Sequence, residues 1–229
     1  MAFDFEEAFK EYYGQPFIVP IPDDLDPELP RIVLESQKGH SQISITQINL
    51  SLNVLYSDDW QTDHTKGCQY ILDRCNILFD VLNRIKELKP NFCGLKTMAR
   101  ISTDFKSAEI ISRLASVINF DINDSDLHDV VVKFTHKIED KYYNNIVYQN
   151  YRQYKQRDSA DGIFKLPDSS ALEEGIQINI DFNDRLAFNE VENYQTDVFA
   201  AKLIVEKGFE YLNSEIRRFR ELNNAENAK

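Results

Sequence analysis

Glycine is scarce in this chain, seven residues of 229, and no two lie close together. Phosphate loops and dinucleotide turns need clustered glycines so that backbone N–H groups can approach a phosphate, and both are excluded. Cysteine is scarcer still. Three residues, an odd number with no paired spacing, do not make a disulfide framework. On a helix Cys68 and Cys75 stand about 10 Å apart, too far to bridge, and read as buried thiols. Positive charge is in deficit, with 26 Lys and Arg against 38 Asp and Glu, for a formal net charge of −12. Nucleic-acid binding draws on clustered cations to displace counterions from phosphates, and here the cations are dispersed. The nearest thing to a basic patch, Arg217-Arg218-Phe219-Arg220, ends the last helix, where positive charge complements the helix dipole. No apolar run suits a bilayer span. Met1-Ala2-Phe3-Asp4-Phe5-Glu6-Glu7 lacks the basic start and apolar stretch of a signal peptide, so the expected location is the cytoplasm.

What the chain does have is hydrophobic patterning, and it states the pattern twice. A long alternating segment gives way to an amphipathic helix over residues 31–88 and again over 129–222. The order predicts an α+β fold of two similar halves, each a largely antiparallel sheet covered on one face by long amphipathic helices. Residues 1–30 form an N-terminal helix, carrying Phe3, Phe5, Phe9, Tyr12 and Tyr13, and an extended arm. Residues 31–122 make the first half, 123–222 the second, and 223–229 a disordered tail.

In the first half, Ile32 and Leu34 alternate with Arg31, Val33 and Glu35, and Gln37-Lys38-Gly39-His40 supplies a reversal. Ile43 and Ile45 share a face, but the apolar positions then switch parity to Ile48, Leu50, Leu52, Val54 and Tyr56. One extra residue near Thr46-Gln47 is needed to keep both sets on the core side, which predicts a β-bulge there, with a plain break between two strands as the alternative. The helix that follows shows Cys68, Ile71, Cys75, Leu78, Leu82 and Ile85 at steps of three and four, with Asp73, Arg74, Asn76, Lys86 and Glu87 off the stripe. Burying such a face is worth on the order of 10 kcal/mol gross, so the helix needs a sheet beneath it. Lys89-Pro90-Asn91 ends it. A strand over 92–102, with Leu95, Thr97, Ala99 and Ile101 on one side, precedes a helix over 106–118 that buries Ile110, Ile111, Leu114, Val117 and Ile118. The cluster Asp121, Asn123, Asp124, Ser125, Asp126 marks a turn and the boundary between halves.

The second half opens with Val130, Val132, Phe134, His136 and Ile138 on one strand face. Residues 140–145 turn the chain, 146–155 return rich in tyrosine, and 156–174 read as a polar, mobile loop. Ile176, Ile178, Ile180 and Phe182 then alternate with Gln177, Asn179, Asp181 and Asn183, as in a sheet covered on one side. The last helix, over 196–222, carries the stripe Val198, Ala201, Val205, Phe209, Leu212, Ile216 and Phe219 behind a cap at Thr196 or Asn193. Its length also suits pairing with a copy of itself in a homodimer.

Chemical motifs are mostly near misses. Asp121–Asp126 resembles a calcium loop, but Asp126 stands where glycine is needed and Val132 where a bidentate Glu is needed. Asp58, Asp59, Asp63 and His64 bracket Trp60 just before the first long helix, and carboxylates with imidazole can hold a divalent ion. Acidic residues there also favour a helix N-terminus. His136 reads as a hydrogen-bonded core or interface histidine. His40 and His128 fall in loops, with no Ser or Cys placed to form a nucleophile pair. The tyrosines carry more weight: Tyr142, Tyr143, Tyr148, Tyr151 and Tyr154 concentrate in one hairpin, and tyrosine suits contact surfaces through its apolar ring and polar tip. Since Tyr148 and Tyr154 have the opposite parity to Tyr151, a regular strand leaves some of them exposed.

The strand Gly-Leu-Lys-Thr-Met-Ala-Arg-Ile at 94–101 after a helix, and Ile-Asn-Ile-Asp-Phe at 178–182 leading into a long C-terminal helix, resemble a sporadically distributed bacterial family of uncharacterised α+β proteins. The resemblance implies a mobile or defence-associated role and supplies no site residues. Two function classes follow. The favoured one is a non-enzymatic cytoplasmic protein-binding module, an immunity, antitoxin-like or defence-associated accessory subunit. It has a protein partner, no cofactor and no membrane or nucleic-acid role, and the tyrosine hairpin or an acidic edge is its contact surface. The alternative is a metal-dependent hydrolase or nuclease using Asp58, Asp59, Asp63 and His64, joined by Asp181 and Asp184.

Overall fold

A computed structural model of the chain describes residues 1–57, 59–85, 88–103, 105, 107–116, 127–154, 166 and 170–226. The fold is α+β, with two four-stranded antiparallel sheets and six helices among the described residues. The chain divides into two compact units, Met1–Pro90 with Asp197–Lys202, and Asn91–Thr196 with Leu203–Lys229.

The first unit contains α1 (Ala2–Phe9), β1 (Phe17–Ile18), β2 (Ile32–Glu35), β3 (Ser41–Ile45), β4 (Leu50–Val54), α2 (Asp59–Thr62) and α3 (His64–Arg84), with its strands in the order β1-β2-β3-β4. The β2–β3 hairpin turns at Gly39, whose φ of +70° is the left-handed conformation that glycine adopts without a Cβ penalty. Register puts Ile32, Leu34, Ile43, Ile45, Leu50 and Leu52 on one face. Phe5 and Phe9 from α1, with Leu78 and Val81 from α3, complete the core over that face.

The parity switch after Ile45 is a break between strands and not a bulge. A turn over residues 46–49 closes with Thr46 N–H donating to the Asn49 carbonyl at 2.9 Å and Asn49 N–H donating to Thr46 Oγ1 at 2.8 Å. Because Ile45 pairs directly with Leu50, the odd set on β3 and the even set on β4 reach the same side. On α3 the buried line is Gly67, Arg74, Leu78 and Val81, while Cys68, Ile71, Cys75, Leu82 and Ile85 are half-buried. The central line is therefore one that spacing of apolar residues does not pick out, because it contains Arg74.

The second unit contains β5 (Gly94–Ser102), α4 (Ser107–Ser116), β6 (Val131–Ile138), β7 (Tyr142–Tyr154), β8 (Ala171–Asn183), α5 (Arg185–Glu190) and, from Leu203 onward, α6 (Val198–Glu226), in the sheet order β5-β8-β7-β6. Sequence order attaches β5 to the first half. It pairs instead with β8 along its whole length, from Gly94 opposite Asn183 to Ser102 opposite Gly175. The pairing matches apolar parity on both strands, Leu95 with Phe182 and Ala99 with Ile178, so the dry faces merge. Residues 171–174, assigned to the polar loop from sequence, are the first part of β8. The rest of that loop, apart from 166 and 170, lies outside the described residues, as do Val117, Ile118 and the 121–126 cluster.

The dry face of this sheet is covered by α6. Tyr148 packs on Phe219, Phe182 on Tyr211, and Leu95 against Gly208, where an added Cβ would stand 2.7 Å from Leu95 Cδ2. Gly175 is tighter still, since a Cβ there would meet the Ile101 carbonyl oxygen at 2.1 Å. The cap of α6 is Asp197, which accepts Ala200 N–H at 2.8 Å, and not Thr196 or Asn193. The helix runs on to Glu226, into the segment expected as a tail, and residues 227–229 lie outside the described residues. Among the described residues no helix is long and apolar enough to cross a membrane.

Candidate functional site

The end of α1 sets two adjacent tyrosines in opposite directions. Tyr12 and Tyr13 N–H groups both donate to the Phe9 carbonyl, at 2.8 and 2.9 Å. Tyr13 turns inward, edge-on to Phe9 with ring centroids 5.4 Å apart. Tyr12 turns outward. On α3, Tyr70 and Arg74 are one turn apart and therefore share a face. These elements converge on the Arg74 guanidinium, whose Cζ lies 4.0 Å from the centroid of the Tyr12 ring and 4.1 Å from that of Tyr70.

Ser41, at the start of β3, ties the cluster together: its Oγ is 2.8 Å from Tyr13 OH and 2.6 Å from Tyr70 OH. Trp60 on α2 stands edge-on to Tyr70 and stacks with Tyr56, whose hydroxyl donates to the Gly67 carbonyl at 2.9 Å. Burial pushes the Tyr13 phenol up to about 12 and raises Tyr56 as well, so both stay neutral at physiological pH. The cluster thus carries a cation and several neutral hydroxyls.

Arg74 is 8% exposed, yet its Nε has no hydrogen-bond partner, and among the described residues no carboxylate pairs with it. Two ring contacts contribute roughly 0.5–2 kcal/mol each, against several kcal/mol for taking a charge out of water. An unpaired buried cation is costly to the fold, and buried polar groups without partners mark places where a ligand or ion completes the set. Around it, Trp60 at 40% and Tyr12 at 38% exposure keep large ring areas open to solvent. Trp, Tyr and Arg are the residues that dominate binding energy at protein contacts. Arg74 reads as a solvent-face residue in the sequence. The available signal is its i,i+4 spacing from Tyr70 beside the only tryptophan, but such a pair is equally at home on an exposed helix face.

The residues singled out from sequence fall elsewhere. Of the hairpin tyrosines, Tyr142, Tyr148 and Tyr151 are buried, and Tyr143 and Tyr154 are half-buried. Tyr148 and Tyr151 are both enclosed despite opposite parity, because the two faces of β7 have different covers. Tyr148 lies under α6 and donates to Glu215 at 2.7 Å. Tyr151 fills the space that Gly175 leaves empty, beneath the Arg100 guanidinium, and donates to Glu173.

In the acidic set, Asp58 and the side chain of Asp59 lie outside the described residues. Asp63 caps α3, accepting Lys66 N–H at 3.0 Å with Lys66 Nζ at 3.2 Å, and these contacts hold its carboxyl below the usual range. His64 opens α3. Asp181 accepts from Asn183 Nδ2 at 2.8 Å. Asp184 is fully buried and accepts from Cys93 N–H at 2.7 Å and Tyr194 OH at 2.9 Å, while Cys93 Sγ lies 3.1 Å from Thr196 Oγ1. That arrangement fastens the start of β5 to the end of β8. Among the described residues no three His, Cys, Asp or Glu side chains are grouped as metal ligands. His136 is exposed and stacked on Phe134. Beside Ser102, Phe105 and Leu172 runs an open groove of about 340 Å³, whose Glu173 is already engaged by Tyr151.

In comparisons with protein-family models, curated proteins and solved structures, none matches the chain.

Proposed function

We propose that the protein is a non-enzymatic binding subunit and that Tyr12, Trp60, Tyr70 and Arg74 form its contact surface. The observation that carries this reading is the buried guanidinium, unpaired among the described residues, that packs against two tyrosine rings beside a half-open tryptophan. Such a group is destabilising in the isolated chain and becomes favourable when a partner supplies an acceptor. The net charge of −12 favours a partner that is basic overall, through steering at long range. An immunity or antitoxin-like accessory subunit is the type of protein this describes.

The test is paired capture. Wild-type chain, Trp60→Ala, Tyr12→Ala and a control, Phe199→Ala at an exposed residue on α6, are used as baits in native lysate. A stoichiometric partner held by wild type and by the control, and lost from both cluster variants, supports the proposal. Background proteins alone, or a partner that binds all four baits equally, overturns it.

A further inference from the structure

We propose that Arg74 receives a carboxylate from the protein partner, an acidic side chain or a chain terminus, presented in the plane of the guanidinium. This inference rests on the binding role proposed above and adds the chemistry of the group recognised.

The geometry restricts what can approach. The Tyr12 and Tyr70 rings pack on the guanidinium with centroids 4.0 and 4.1 Å from Cζ, so ring carbon already occupies space that a ligand atom approaching that carbon would need. Nε is enclosed, which removes the side-on approach through Nε and one Nη. What remains is the end-on fork of Nη1 and Nη2. A carboxylate is planar, and its two oxygens accept from that fork while lying in the slot between the rings. A phosphate is tetrahedral. With two oxygens on the fork, its other two project above and below the plane, against Tyr12 and Tyr70.

Among the described residues, no acid of the chain fills this role. Asp63 is held by Lys66, and Asp73 accepts from Gln69 Nε2 at 2.8 Å. The Tyr13 and Tyr70 hydroxyls are both engaged with Ser41 Oγ, at 2.8 and 2.6 Å, and are not directed at the fork. Trp60, edge-on to Tyr70 at 5.9 Å, lies beside the slot and reports on its occupancy.

The experiment uses the full chain and three probes at constant ionic strength: N-acetylglycine, its neutral amide, and inorganic phosphate. Two signals are followed, Trp60 fluorescence and the Arg74 Nε–Hε resonance, the latter assigned by its loss in Arg74→Lys. Expected is a saturable response to N-acetylglycine and none to the amide, with the fluorescence response weakened roughly 10- to 100-fold in Arg74→Lys, whose ammonium cannot form the planar fork. If Arg74→Lys does not fold, the acid and amide comparison on wild type decides alone. The inference is overturned by no saturable shift with the acid, by equal shifts with acid and amide, or by phosphate saturating at lower concentration. Capture that depends on Trp60 together with a resonance unmoved by N-acetylglycine would sink the carboxylate slot and leave the binding role standing.

Discussion

The two units treat their tyrosines in opposite ways. In the second, three phenols donate to carboxylates: Tyr148 to Glu215, Tyr151 to Glu173 and Tyr194 to Asp184. In the first, Tyr13 and Tyr70 meet at the neutral Ser41 hydroxyl, Tyr56 ends on a backbone carbonyl, and the nearby charge is a cation with no acceptor among the described residues. Phenol–carboxylate pairs are satisfied from within the chain and fix the packing around them. A cation ringed by aromatics leaves its donors for another molecule. The contrast locates function by where the fold has left a polar group unmatched.

The largest effect belongs to the closed side of this contrast. Asp184→Leu removes the acceptor for both Cys93 N–H and Tyr194 OH in a fully buried setting, and each orphaned donor costs about 1–3 kcal/mol, for a loss of about 3–5 kcal/mol in urea denaturation. A loss under about 1 kcal/mol would show that the carboxylate is not what fastens β5 to β8.

Alkaline pH strains the same side. Burial first, and then the adjacent carboxylate, raises Tyr148, Tyr151 and Tyr194 above the ordinary value of 10.0. A folded-state value above the unfolded one means that the native chain holds the proton longer. The associated stability is therefore complete below pH 10.0 and is lost as pH climbs from there towards the folded values. Denaturation midpoints should hold steady up to that point and fall above it. Tyrosinate absorbance should include a late stage, above pH 10.0, from these three phenols. In Glu215→Gln the late stage should shift to lower pH, because Tyr148 loses its anionic neighbour. Tyr13 should not respond to any such change, since burial leads its rise to about 12 and no carboxylate contributes.

Much of the second sheet was legible because strand alternation is local. Ile176 to Phe182 on β8 and the Val205–Phe209–Leu212–Ile216 stripe on α6 are buried as their spacing predicts. Partnership was not. Nothing within Gly94–Ser102 says that its mate lies past residue 170, since antiparallel pairing depends on matched parity between distant segments. The parity switch at 46–49 was visible, but a bulge and a tight turn produce the same pattern, and the Thr46 side chain bonding to Asn49 settles it. The helix α5, at six residues, is too short for a period to appear. The candidate site was the least legible part. Tyr12, Ser41, Trp60 and Arg74 come from four separate segments, and helical spacing alone placed Arg74 on the solvent side.

Smaller effects separate the two kinds of hydroxyl. Tyr148→Phe deprives the partly buried Glu215 of its 2.7 Å donor and leaves it with Arg218 at 3.7 Å, for a loss of about 1–2 kcal/mol. Tyr70→Phe removes a bond to Ser41, which keeps Tyr13 as its partner, and should cost about 0.5 kcal/mol. Equal losses at the two positions, measured by chemical denaturation, would erase the distinction between closed and open tyrosines.

The smallest stability change is expected where the functional loss is complete. Removing one member of a matched buried ion pair is normally severe, because the other charge is stranded. Arg74 strands nothing, since it has no partner among the described residues. Arg74→Met keeps the long stem between the two rings, gives up the cation–π attraction, and also removes the cost of holding a charge away from water. The two terms nearly cancel, so the unfolding free energy should change by less than about 1 kcal/mol, towards greater stability, while partner capture is abolished. A drop of several kcal/mol would show that the guanidinium holds the first unit together, and the slot would then belong to the fold and not to binding.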